Sequence, residues 1–130
     1  TVEHQWQDPA YADMVDNGPM VASYVANAAR MGRTVMDPVT SGRRVMGSTD
    51  MGNVSYLVPS IHPMIKVSPD GVPIHSLEFA TWAASPAGDQ AVLDGAKAMA
   101  MTVVDLWCST PLRERVQVAF AGRPKGVQVL

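Results

Sequence analysis

The chain is poor in the features that most directly betray a function. It has one cysteine, Cys108, in 130 residues. No intrachain disulfide can form, which excludes the covalent staple of small secreted domains. Cys108 closes the apolar stretch Val103-Val104-Asp105-Leu106-Trp107-Cys108. No His stands near it in sequence to activate it, so a buried, inert thiol is expected. Charge is also sparse, at 17% of residues with a net charge of -2. A phosphate-binding surface needs a basic excess, so nucleic acid is not an expected partner. Arg30, Arg33, Arg43 and Arg44 read as solvated cations of loops and helix ends. No apolar run approaches the roughly 18 to 20 residues of a membrane span, and no signal peptide is visible. There is no His-Glu-x-x-His, no cysteine cluster, no Gly-x-Ser-x-Gly and no P-loop.

What is present is a globular composition. Hydrophobic residues make up 47% of the sequence, enough for one domain with a modest core. The nine methionines read as core gap-fillers. Asp8-Pro9 looks like the start of a two-turn helix over 10–16. Pro19 starts a second helix, whose apolar positions Met20, Val21, Tyr24, Val25, Ala28 and Met31 share one face, with Gly32 as its stop. Residues 44–46 read as a short strand. Thr49 or Asp50 caps a short helix through Leu57, ended by Pro59. Ile61, Pro63, Ile65 and Val67 share the parity of a strand, and Pro63 places that strand at an edge. Ser68-Pro69-Asp70-Gly71 is a turn. A helix starts near Ser76. The longest helix runs from about Ala87 to Trp107, with Leu93, Ala96, Ala100, Val103, Val104 and Trp107 on its apolar face and Asp89, Asp94 and Lys97 on the other. A last helix begins at Thr110-Pro111 and ends at Gly122, carrying Leu112, Val116 and Phe120 on one side, and the tail 123–130 reads as a final strand or a frayed end. The fold class expected is α/β: helices packed on a small mixed sheet, part of a layered catalytic domain and incomplete without further elements.

Chemistry has few places to sit. Of the three histidines, His4, His62 and His75, the last lies on a loop just before a helix, where an imidazole can project into a cleft. Glu78 behind it reads either as a helix-capping carboxylate or as a partner that orients the ring. Gly47-Ser48-Thr49-Asp50 offers backbone N–H groups and two hydroxyls near a helix start. That makes either a carboxylate cradle or a plain capped turn.

At these same positions the sequence resembles a known family. Gly47-Ser48-Thr49-Asp50-Met51-Gly52-Asn53-Val54-Ser55, followed by Val58-Pro59-Ser60-Ile61-His62-Pro63, resembles the catalytic-domain segment of peptidase family M-twenty. Ile74-His75-Ser76-Leu77-Glu78-Phe79-Ala80 resembles that family's closing histidine motif. The likeness extends over about 9–121. It looks closest to the branch of aminobenzoyl-glutamate hydrolase and the aminoacylase-like dipeptidases. The resemblance implies that residues 1–8 end an inserted lid or dimerisation domain and that 9–130 belong to the catalytic domain. It implies that His75 binds one of two divalent metals (zinc, or manganese or cobalt), and that Ser48, Thr49, Asp50 and Asn53 line the substrate side. His62 and His4 receive no role. The implied reaction is hydrolysis of an N-acyl amino acid or a dipeptide by metal-activated water, in the cytoplasm. The departures weigh as much. The family's His-x-Asp motif and Glu-Glu pair do not occur in this chain. The expectation is therefore a portion of an enzyme, inactive alone, that oligomerises or pairs with the polypeptide carrying the missing ligands. The alternative is a non-catalytic α/β assembly module.

Overall fold

The computed structural model describes residues 1–5, 10–36 and 49–125, and its regular elements are helices. In chain order these are α1 (Gly18–Arg30), α2 (Met51–Leu57), α3 (Leu77–Ala83), α4 (Pro86–Cys108) and α5 (Thr110–Ala121). Their starts follow from local chemistry. The side chains of Asn17, Ser76, Ser85 and Ser109 accept hydrogen bonds from the backbone N–H groups of Met20, Phe79, Gly88 and Leu112. Three of these four helices also carry Pro in the first turn, where its missing N–H costs nothing. Ser109 belongs to two helices at once, because its N–H bonds the Asp105 carbonyl to close α4. Arg113 takes the last carbonyls of α4, donating to Leu106 O and Trp107 O at 2.8 and 2.7 Å.

Among the described residues there is no strand, so the expected mixed sheet is not seen there. Residues 61–67 form no regular element, and their side chains alternate between half-buried and exposed in the predicted parity. They find no ladder partner among the described residues. The strand expected at 44–46, the helix start at Asp8-Pro9 and the chain end at 126–130 lie outside those residues. The helix expected over 10–16 is replaced by irregular backbone. Its peptide groups are claimed by side chains of α2: Ala12 N–H donates to Asn53 Oδ1 at 2.9 Å, Val15 N–H to Ser55 Oγ at 3.0 Å, and Asn53 Nδ2 to Ala10 O at 3.0 Å. Once satisfied in this way, the backbone gains little from coiling.

The centre is α1 against α4. Helix α5 packs on both, and α3 packs on the start of α4. The apolar cluster here is small: Tyr24, Ala28 and Ala98, flanked by Val35 and Ile61. The rest of the contact is polar. Asp105 Oδ2 accepts from Ser23 Oγ and from Asn27 Nδ2, each at 2.8 Å, while Asn27 also reaches Thr102 Oγ1 at 3.3 Å. Further along, Arg33 Nε donates to Asp94 Oδ2 at 2.8 Å and Gln90 Nε2 to Asp94 Oδ1 at 2.7 Å. Helix α4 therefore turns Gly88, Ala91, Asp94, Ala98 and Thr102 inward. This departs from the expected orientation: Asp94 is buried, and Leu93, Val103, Val104 and Trp107 are exposed, whereas Asp89 and Lys97 are exposed as expected. Gly88 faces α3, where a Cβ would overlap the Ala83 carbonyl, and the polar groups that come inside are all paired. Three smaller expectations are also corrected. Cys108 is exposed, on the wall of an open groove between α1, α4 and α5. Arg33 is a partner in the α1–α4 contact rather than a solvated cation. Met36, Met64 and Met99 are exposed rather than core-filling.

Both carboxyls are held below the ordinary aspartate value of 3.8. Asp94 owes this first to Gln90 and then to Arg33, and Asp105 first to Asn27 and then to Ser23. A depressed pKa means that the charged form favours the fold. That contribution is complete above the unfolded value and is lost as pH falls through the folded one. Stability measured by urea unfolding is expected to drop below about pH 4, with a shallower acid dependence in Asp94→Asn. Asn27→Ala should cost about 1–3 kcal/mol, because it strips hydrogen bonds from buried acceptors. Val103→Ala, on the exposed side of α4, should stay within about 0.5 kcal/mol. Equal losses in the two variants would contradict the orientation of α4.

Candidate functional site

The two motif segments begin α2 and α3. At the first, Ser48 lies outside the described residues. Thr49 is half-buried, and its Oγ1 accepts from Met51 N–H at 3.3 Å and donates to Asp50 Oδ1 at 3.4 Å. Asp50 occupies the N-cap position with an exposed carboxylate and no side-chain capping bond. Of the two capping candidates, Thr49 is the one whose side chain meets the helix. Asn53 faces inward. Its amide binds the backbone of Ala10 and Ala12 as a neighbouring strand would.

The residues that follow continue this fastening. Ser55 Oγ donates to Gly52 O at 2.6 Å while it receives Val15 N–H, and Tyr56 Oη donates to Asp13 Oδ1 at 2.8 Å. The Asp13 carboxylate beside it pushes the Tyr56 phenol upward from 10, chiefly through that hydrogen bond. Gly52 permits the approach, since a Cβ there would overlap the Ala12 carbonyl. Arg123, stacked over the Phe120 ring at 3.8 Å, donates from Nε to Tyr56 O at 2.8 Å and so ties α2 to the end of α5. What is recognisable in Met51-Gly52-Asn53-Val54-Ser55-Tyr56 is thus in large part a clamp on residues 10–15.

At the second segment, His75 has φ +64°, the left-handed region. His enters it more readily than most non-glycine residues, but the conformation still costs about 1 kcal/mol or more and collects at functional positions. Two local anchors hold it. Ser76 Oγ donates to Pro73 O at 2.7 Å and accepts Phe79 N–H at 3.0 Å, fixing the backbone on both sides. The imidazole itself is exposed and makes no hydrogen bond or ion pair with the described residues. Its neighbours Ile74 and Leu77 are exposed as well. Glu78 is exposed in the first turn of α3, where its charge suits the helix dipole. The capping contact falls to Phe79 N–H instead.

The structure does not bring the two segments together. Helix α3 packs only on α4, and α2 packs on no other helix among those described. No group of three or more His, Cys, Asp or Glu side chains capable of holding a metal occurs among the described residues. His75 can supply one nitrogen ligand, but the donor set around it does not make a metal site. Two shallow grooves lie elsewhere. One, of about 420 Å³, is lined by Arg33, Lys66, Trp82 and Gln90 among others. The other, of about 550 Å³, lies between α1, α4 and α5. His75 lines neither. No helix among the described residues is long and apolar enough to cross a membrane.

The chain is similar to known proteins. It is 32% identical to a Xaa-Arg dipeptidase of Mus musculus, over 100% of this chain and 30% of that protein. It is 30% identical to a Xaa-Arg dipeptidase of Homo sapiens, over 92% of this chain and 27% of that protein. The chain thus spans less than a third of the length of the curated relatives it matches. No family model and no solved structure matches it.

The clamp is open to a direct test. Gly52→Ala should lower stability by about 1–3 kcal/mol through overpacking and expose 10–16 to limited proteolysis. Unchanged stability and cleavage would contradict the close approach of Ala12.

Proposed function

We propose that the chain is a portion of a hydrolase of the M-twenty peptidase type that splits a peptide or similar amide bond, with a dipeptide or an N-acyl amino acid as substrate. The observation that carries this reading is the likeness to Xaa-Arg dipeptidases along the whole chain. It also supports M-twenty-like membership. His75 is the residue proposed to bind metal. Its exposed imidazole and its left-handed backbone, held by Ser76, are what a ligand presented from a rigid helix start requires. Zinc suits a nitrogen ligand of this kind, with manganese and cobalt as alternatives. Thr49 and Asp50 are proposed on the substrate side with Ser48, and Asn53 would act there by holding the segment beneath them. The reaction cannot be written from these residues alone, because the remaining metal ligands and a base for water would come from another part of the polypeptide or another chain. A cytoplasmic location is part of the same proposal.

One observation favours a second reading, a non-catalytic assembly module. The described residues hold no group of three or more side chains able to bind a metal.

The two readings separate on His75→Ala, made in the active assembly that contains this chain. The hydrolase reading predicts lowered metal content and a fall in turnover beyond the roughly 100-fold that loss of an outer hydrogen-bonding partner costs a metal site. Far-ultraviolet circular dichroism should not change, because the Ser76 cap remains. Full metal content with full turnover would sink the assignment.

A further inference from the structure

The turn that closes α1 fixes an arginine in place. Gly32 adopts φ +71°, a left-handed conformation that glycine enters without strain. Its N–H bonds Ala29 O, and the N–H of Arg33 bonds Ala28 O, each at 3.0 Å. The Arg33 side chain is held as firmly as its backbone. Nε donates to Asp94 Oδ2 at 2.8 Å and Nη1 to Lys66 O at 3.0 Å. Nη2 has no partner among the described residues. The side chain is 26% exposed and lines the groove of about 420 Å³ formed by residues 66–69, the end of α3 and the start of α4.

The wall of this groove carries charge of one sign. Arg33 and Lys66 line it and no Asp or Glu does, in a chain whose net charge is -2. Lys66 Nζ meets Asp70 Oδ1 at 3.1 Å, but both side chains are largely exposed, so the pair is loose and open to exchange. Ser68 and Trp82 stand half-buried on the same wall. Neither the Ser68 hydroxyl nor the Trp82 indole N–H has a partner among the described residues. Trp82 and Pro69 add flat apolar surface beside these donors.

We infer that the groove binds a small organic carboxylate with a flat, apolar body. The carboxylate takes donors from Arg33 Nη2, Lys66 Nζ and Ser68 Oγ, and the body lies against Trp82 and Pro69. Its volume lies within the roughly 300 to 1,000 Å³ of small-molecule sites. Arg33 is set before the ligand arrives, so little side-chain freedom is lost on binding. A carboxylate suits the wall better than a phosphate. Each cation already shares one acid, which leaves little charge to spare, and the neighbouring surface is flat rather than ringed by donors. Neither His75 nor Thr49 and Asp50 lines the groove, and the inference is independent of the function proposed above.

Benzoate serves as the probe, with benzamide as its uncharged counterpart and acetate as its counterpart without a ring. Binding to the intact protein is followed by saturation-transfer NMR at low salt, where screening is least. The expected result is saturable binding of benzoate, about tenfold or more tighter than that of benzamide or acetate. Lys66→Gln and Trp82→Ala should each weaken benzoate by about tenfold with unchanged circular dichroism. Arg33 stays in place, because it also holds Asp94. His75→Ala should leave the affinity for benzoate unchanged. No binding up to about 10 mM benzoate, equal binding of benzoate and benzamide, or full affinity in both Lys66→Gln and Trp82→Ala would each overturn the inference. Loss of benzoate binding in His75→Ala would also overturn it, by placing the probe in the proposed hydrolytic site.

Discussion

The contact between α1 and α4 decides how the rest of the molecule is disposed. Asp105 sits at its centre, accepting from both Ser23 and Asn27 on α1. A carboxylate in that position needs donors, and α1 supplies them one turn apart on one face. With Arg33, just past the end of α1, meeting Asp94 further along, the polar side of α4 is bound to α1 and to the turn that follows it. The apolar side then has no choice but to face outward. Two sides of one helix are thus assigned by electrostatics and hydrogen bonding, not by hydrophobicity.

The consequence is a chain whose largest apolar side chains are not in its core. Its buried cluster is built from Tyr24 and two alanines, while Trp107, Val92 and Leu77 stand in solvent. A domain of this size needs far more apolar burial to offset the entropy of ordering its backbone. The same incompleteness recurs in the chemistry. His75 is held in an unfavourable backbone conformation beside exposed Ile74 and Leu77, and no group of three or more metal-capable side chains occurs among the described residues.

Local signals were legible in the sequence where the chemistry is local. The serines at 76 and 85, the prolines at 19, 86 and 111, and the periodicity of Leu112, Val116 and Phe120 mark helices that the structure contains. The 61–67 parity also survives, although no ladder forms among the described residues. Long-range polar contacts were not legible. Nothing near residues 10–16 announces that Asn53 and Ser55 take over their peptide groups from about 40 positions away. The inward side of α4 did leave a trace: Gly88, Ala91, Gly95, Ala98 and Thr102 repeat every three or four residues, the spacing of a close helix approach. Hydrophobicity outvoted it in the sequence reading, because that reading assumed the chain buries its own apolar face. As for the site, His75 stood out by its place before Ser76, and its backbone conformation adds an independent reason to single it out. Thr49, Asp50 and Asn53 stood out by resemblance, and the structure gives Asn53 a structural task.

On the proposed function, these 130 residues would supply part of a metal centre, and the rest would come from other polypeptide. Equilibrium dialysis of the isolated chain against zinc tests this most directly. The account predicts no tight stoichiometric binding, since one exposed imidazole offers a single ligand. Two tightly bound zinc ions per chain would contradict it.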